Sequence, residues 1–294
     1  MRCSVAARPL ASARMRSKIQ EFTGQMMYAE PPSRSSSSGQ DPAGGGTTGF
    51  TLDPNTYVTE GESYFGFTPN LNLNSRGRLS DKVVMKVRTP RALYHRGLVF
   101  DKFTGQGWEI SNLDGQQIQQ GGRSSLFNLV AVRKPADMIG LVYAEEVYSS
   151  YYIERDMPNI IYAAYRPDFL YFPISMVVVD ENLSLRVPIV LGPGTIYTAV
   201  SKVPQVNREV LGSIARSECP KSKKKYCSQA HLTPGIRNLA ARAAGDSRYM
   251  LERVLSIKRF LMSNYEYDID IPPAPRGRNV VHHFLFESKR GYCE

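Results

Sequence analysis

The sequence predicts an α+β protein: an all-β sandwich or barrel-like domain followed by a helical segment. Three observations carry this. Short runs rich in Val, Ile and Tyr, broken by Gly, Pro, Asn and Asp, follow one another between residues 62 and 203. Beyond residue 205 the apolar spacing lengthens from two to three or four. The chain also carries 17 tyrosines, a residue type that favours strands.

Residues 1–61 form a basic, Ser- and Gly-rich segment. Its run Pro31-Pro32-Ser33-Arg34-Ser35 and its glycines Gly44 to Gly46 offer too little apolar surface to offset chain entropy, so a disordered linker is expected. The β-rich domain is expected over 62–203. Within it, residues 82–88 alternate apolar and polar and stop before Pro90. Further strands are expected at 92–100, from Trp108, at 126–133, 140–153, 176–179, 183–189 and 195–203, with a turn at Thr104-Gly105-Gln106-Gly107. Trp108, the single tryptophan, is expected in the core.

Residues 204–294 are expected to be largely helical. Thr233 before Pro234 makes an N-cap followed by proline at the first helical position. Ile236, Leu239, Ala240 and Ala243 share one face, and Gly245 ends that helix. Asp246 or Ser247 is expected to cap the next, whose face is Met250, Val254, Ile257 and Leu261. Residues 265–269 read as extended. Pro272-Pro273-Ala274-Pro275 breaks the chain, and Asn279 caps a short helix carrying Val280, Val281, Phe284 and Leu285.

The formal net charge is +10, but much of the excess is local. Arg2, Arg8, Arg14, Arg16 and Lys18 crowd the N-terminus, and Lys221, Lys223, Lys224 and Lys225 form a second cluster. Both read as solvated features, so no nucleic-acid partner is expected. No run approaches the roughly 18 apolar residues of a membrane span, and the N-terminus has no apolar signal core.

The four cysteines are Cys3, Cys219, Cys227 and Cys293. None has zinc-ligand spacing, and no metal or cofactor is expected. Cys219 and Cys227 bracket the lysine cluster. They either close a small disulfide loop, which suits an oxidising compartment, or remain two surface thiols. Cys293 follows Lys289, Arg290 and Gly291. Nearby cations lower a thiol pKa, the thiolate is the nucleophile, and Gly291 would allow a tight turn presenting it. On these features alone a structural cysteine is the commoner case.

The run Phe284-Leu285-Phe286-Glu287-Ser288-Lys289-Arg290-Gly291-Tyr292-Cys293-Glu294 adds to that. It resembles the segment around the nucleophilic cysteine of bacterial transglutaminase-like proteins. Upstream, Tyr94-His95-Arg96-Gly97 with Phe103-Thr104-Gly105-Gln106-Gly107-Trp108 is similar to a Tyr-x-Arg-Gly … Tyr-x-Gly-x-x-Trp pattern. That pattern belongs to the extracytoplasmic β domain of the family's membrane-anchored members. The resemblance covers about residues 62–294. It implies that 204–294 is the helical start of a papain-like transglutaminase core, with Cys293 as catalytic nucleophile.

In the family the cysteine attacks a glutamine carboxamide of a protein or peptide substrate, or acts as a peptidase nucleophile through the same thioester chemistry. The family's histidine and aspartate follow the cysteine, whereas here only Glu294 does. A fragment cut after its nucleophile, and inactive as such, is therefore expected. His282 and His283 stand where the family often has an aspartate, and they read as helix histidines rather than a base. The resemblance places the protein on the extracytoplasmic face of the cytoplasmic membrane, although this chain shows no span. The alternative is a non-catalytic interaction module built on the β domain.

Overall fold

Strands occupy the Val-, Ile- and Tyr-rich runs, and among the described residues helices begin only at Arg208. The computed structural model describes residues 70–73, 82–119, 128–132, 144–205, 207–215, 219, 221–227, 231–268 and 270–292. The expected linker over 1–61 lies outside the described residues.

In chain order the strands open with β1 (Asn70–Asn72), β2 (Met85–Arg88), β3 (His95–Arg96), β4 (Lys102–Phe103), β5 (Gly107–Glu109) and β6 (Gly115–Gln119). There follow β7 (Asn128–Ala131), β8 (Ala144–Ile153), β9 (Ile160–Ile161), β10 (Ala163–Ala164) and β11 (Pro167–Phe172). The series closes with β12 (Met176–Asp180), β13 (Leu185–Arg186), β14 (Ile196–Pro204), β15 (Glu266–Tyr267) and β16 (Arg290–Gly291). The α-helices are α1 (Arg208–Ser213), α2 (Pro234–Ala244), α3 (Met250–Asn264) and α4 (Val280–His283). The fold is therefore α+β, sheets first and helices after.

Internal contacts divide the chain into two units. The described part of the first lies in Asp81–Gly97 and Asp114–Val203. The second comprises Glu62–Ser80, Leu98–Leu113 and Pro204–Glu294. The hairpin β4–β5 thus belongs with the helices.

In the first unit, one sheet has the order β2-β8-β14-β11-β7 and another β6-β12-β13-β9. Period-two alternation sorts the large side chains of β8, although Ser150 on the other face is buried too. Val147, Tyr151 and Ile153 of β8 are buried, while Tyr148 and Tyr152 between them are half-buried. Tyr151 stacks on Tyr197 of β14 at 4.6 Å between ring centroids, and Phe172 meets Tyr197 edge-on at 5.8 Å. A buried phenol costs free energy unless its hydroxyl is bonded. Tyr197 donates to the Tyr162 carbonyl at 3.1 Å and accepts from the Tyr162 amide at 3.0 Å. Tyr151 shares a 2.7 Å bond with Nδ1 of His95. Burial pushes both phenols well above their ordinary pKa and lowers that of His95.

Arg186 of β13 is fully buried, 0 % exposed, directly across from Val178 of β12. Asp180 closes the β12–β13 turn by accepting from the amides of Asn182 and Ser184, each at 2.8 Å. Burial pushes the Asp180 carboxyl up, against the pull of those hydrogen bonds and of the Arg186 charge. Gly115 of β6 makes this packing possible. A Cβ there would lie 2.2 Å from Cγ1 of Val178 and 3.1 Å from Nη2 of Arg186.

In the second unit β5 sits between β1 and β4. Trp108 is 38 % exposed and lies 5.2 Å from the Phe103 ring, so the expected core tryptophan instead covers the hairpin. The Asp101 side chain is 1 % exposed and meets Lys225 Nζ at 3.3 Å. It also accepts from the Ser111 amide at 2.8 Å and from the Ser111 hydroxyl. Burial pushes the Asp101 carboxyl up, but the Ser111 hydrogen bonds and Lys225 outweigh it and hold it below the ordinary value. Lys225 lies in a 3₁₀ turn, Lys221–Cys227, closed by a Cys219–Cys227 disulfide with Cα atoms 6.3 Å apart.

Thr233 caps α2 by accepting from the Ile236 amide at 3.3 Å, and Gly245 ends it at φ +67°. Helix α3 starts later than expected. Its N-cap is Tyr249, and Ser247 bonds the Tyr249 amide at 3.1 Å just ahead of it. The expected strand at 92–100 shrinks to β3, and β6 and β11 arise where none was expected. No described helix is long and apolar enough to cross a membrane.

Because a methyl group at Gly115 meets a stiff valine and a buried guanidinium, Gly115→Ala should destabilise the first unit by about 1–3 kcal/mol. Urea unfolding followed by tyrosine fluorescence reads this directly. An unshifted midpoint would show that β12 yields freely.

Candidate active site

The segment leading to Cys293 is assembled from four local devices. Asn279 caps α4, its side-chain oxygen accepting from the His282 amide at 3.0 Å. The helix runs straight into a π-helical turn, Phe284–Ser288. Lys289 stops it in the left-handed region at φ +52°, and its amide donates to the Phe284 carbonyl at 3.0 Å. The chain then becomes β16, parallel to β15. The Glu266 amide donates to the Lys289 carbonyl at 3.0 Å and the Asp268 amide to the Gly291 carbonyl at 2.8 Å. The Arg290 guanidinium pairs with Asp268.

Packing fixes the turn from beneath. The Phe284 ring lies 4.9 Å from that of Tyr265, which rests in turn on Phe260 at 5.9 Å. The Tyr265 hydroxyl donates to the Leu285 carbonyl at 3.1 Å. A Cβ on Gly291 would lie 2.8 Å from Cε2 of Phe284. Gly291 is not among the residues with positive φ, and the left-handed residue is Lys289. The glycine before Tyr292-Cys293 therefore makes room for an aromatic ring. It does not form the tight turn expected from the sequence.

The histidines of this segment have local partners. His282 Nδ1 lies 3.0 Å from the Thr233 hydroxyl, and its ring sits 4.6 Å from that of Phe286. His283 Nδ1 meets Glu287 at 2.9 Å, and Arg278 meets the same carboxylate at 2.8 Å. The His283 hydrogen bond, with the charge of Arg278 behind it, holds the Glu287 carboxyl below its ordinary value against the small cost of desolvation. His95 lies in the first unit, and His231 precedes α2 at φ +63°.

A cavity of about 170 Å³ opens beside this segment, walled by Ile271, Val280, Val281, Phe284, Gly291 and Tyr292. It has room for one side chain rather than an extended ligand. Cys293 itself lies outside the described residues. Sequence reasoning read Arg290 as a cation beside the thiol and residues 265–269 as extended, but it missed the contacts of Tyr265 with Leu285 and of Asp268 with Arg290. The signal for them was the Tyr265-Glu266-Tyr267-Asp268 alternation, which supplies the strand that β16 joins. Among the described residues no group of His, Cys, Asp and Glu is placed to hold a metal ion.

A family model described as the TgpA N-terminal domain matches residues 58–208, just over half of the chain. No curated protein matches. Two crystal structures resemble the chain, both of the periplasmic domain of TgpA from Pseudomonas aeruginosa. One is 21 % identical with a TM-score of 0.44, over 73 % of this chain and 67 % of that one. The other, bound to ethylmercury, is 21 % identical with a TM-score of 0.43, over 73 % and 68 % respectively.

The contact between Gly291 and Phe284 gives a test of the packing. Gly291→Ala should cost about 1–3 kcal/mol, and Phe284→Leu in the same chain should return part of it. Additive losses in the double-mutant cycle would mean that the two residues do not share the space.

Proposed function

We propose, from the premise that the chain belongs to the TgpA N-terminal domain family, that it forms part of a cysteine-dependent acyltransferase with Cys293 as nucleophile. The observation that supports this most is the delivery of the chain into Tyr292. A π-turn, a left-handed Lys289 and a short parallel strand fix the backbone up to the residue before the cysteine. Chemistry of this kind requires a nucleophile on a fixed backbone.

The reaction follows from the thiol. A thiolate at Cys293 adds to the carboxamide carbon of a glutamine side chain in a protein or peptide. The C–N bond breaks, ammonia leaves with a proton from a general acid, and a thioester remains. An amine then displaces the cysteine to give an isopeptide bond, or water displaces it to give glutamate. The same nucleophile attacking a backbone amide would make a peptidase. Lys289 and Arg290, a few residues before the cysteine in sequence, favour the thiolate. This reading places the proton acceptor outside His282 and His283, which are helix histidines with Nδ1 bonded to Thr233 and Glu287.

Helices α2 to α4 serve in this reading as the start of a papain-like core, and the cavity beside Tyr292 seats a side chain flanking the target glutamine. The site of action is extracytoplasmic. The Cys219–Cys227 disulfide supports that assignment, because such bridges persist in oxidising compartments.

Two measurements test this. Iodoacetamide should modify Cys293 in a Cys3→Ser background with a midpoint well below the ordinary thiol value of about 8.5, and Cys293→Ser should abolish the labelling. An ordinary thiol profile would remove the activated nucleophile. Secondly, the untreated protein, unfolded without reductant, should titrate with two free thiols, Cys3 and Cys293. Four would remove the support from the disulfide.

A further inference from the structure

The Thr104-Gly105-Gln106-Gly107 turn is bound to the start of the helix that leads to Cys293. The Gly105 carbonyl accepts from the Val280 amide at 2.9 Å. That amide is the first of α4, one of the donors a helix cannot satisfy internally. The Gln106 side-chain amide donates to the Arg278 carbonyl. Asn279, between them, caps α4 with its oxygen and donates through its nitrogen to the His231 carbonyl at 2.6 Å. Three consecutive residues, 278 to 280, are thus held from outside their own helix.

The turn is stiff by its own bonding. Thr104 donates its amide to the Gly107 carbonyl at 3.0 Å. Its hydroxyl accepts from the amides of Gln106 at 3.3 Å and Gly107 at 3.1 Å. The Leu73 amide ties the Gln106 carbonyl to β1 at 3.3 Å. Gly105 has φ +87°, and a Cβ there would find only ordinary contacts at 3.5 Å and beyond. Backbone conformation, not space, demands the glycine. Its carbonyl is thereby aimed at Val280.

We propose that this turn is a positioning device for the nucleophile: Gly105 and Gln106 orient α4, and through it the path of Lys289 to Tyr292 into Cys293. The inference rests on the reading of Cys293 as nucleophile. It assigns a role in that chemistry to a motif of the hairpin, some distance back in sequence. A four-residue helix lies far below the length at which helices hold themselves, so its direction comes from such contacts.

The test compares the full-length chain in a Cys3→Ser background with Gly105→Ala, Gln106→Ala, Thr104→Val and the conservative Thr104→Ser. Two readouts are used: the pH profile of Cys293 alkylation, and hydrogen exchange of the Val280 and Lys289 amides. The first three variants should raise the alkylation midpoint by about one pH unit, a roughly tenfold loss of rate below it. They should also lose protection at both amides, while Thr104→Ser behaves as the parent. Unchanged profiles and unchanged protection in Gly105→Ala and Gln106→Ala overturn the inference. If the parent itself alkylates as an ordinary thiol, the nucleophile assignment fails, and the positioning of α4 is then judged on amide protection alone.

Discussion

A helix of four residues has no stability of its own, and the candidate active site is built on one. Much of what gives the segment a fixed course is therefore tertiary. The Val280 amide is taken by Gly105, the Leu285 carbonyl by the Tyr265 hydroxyl, and the Gly291 carbonyl by the Asp268 amide. Each bond reaches a different element, so the hairpin, the end of α3 and strand β15 all have a hold on one short stretch. Removing any one leaves a buried or half-buried polar group unpaired, which costs more than the bond itself contributes. A site made this way is held by many modest interactions and by no dominant one.

The first unit solves a different problem. Its core holds phenols and a guanidinium as well as aliphatic side chains. Tyr197 is tolerated because both atoms its hydroxyl can use are present on Tyr162. Arg186 is tolerated beside Asp180 and over a glycine that yields it room. Such a core is specified by hydrogen-bond geometry as much as by volume, so aliphatic replacements of matching size would lose that specification. The tyrosine abundance that first suggested strands is here the material of the core.

Much of the β-rich region was legible because Val, Ile and Tyr gather in short runs bounded by turn residues, as in β8 and β14, whose side chains are largely buried. The helix starts at Thr233 and Asn279 were legible because capping is a local chemistry. The misses have the same cause in reverse. β6 is Gly-Gln-Gln-Ile-Gln, a poor strand former that is one because the Val-rich β12 pairs with it along its whole length. β11 opens on a proline, which reads as a break, yet proline is admissible as the first residue of a strand. Trp108 was misplaced because aromatic size argues for burial, while in the hairpin it lies beside Phe103 and stays 38 % exposed. Nothing local in the hairpin sequence announces that its turn meets residues 278–280, since that contact is a fact of topology.

The string from Phe284 to Glu294 carried the resemblance on which the functional reading began, and its letters are not independent of one another. Phe284 requires a glycine at 291, because any Cβ there would enter its ring. Lys289 takes the left-handed turn that the glycine was expected to supply, and this frees Gly291 to lie in a strand against Tyr267. Arg290 is drawn to Asp268, so part of the positive charge that would favour a thiolate is spent on holding β16 to β15. A motif read as chemistry thus proves in large part to be a packing motif. Its glycine and arginine serve the backbone that leads to the cysteine, and in the proposed function the accuracy with which that backbone is held matters as much as nearby charge.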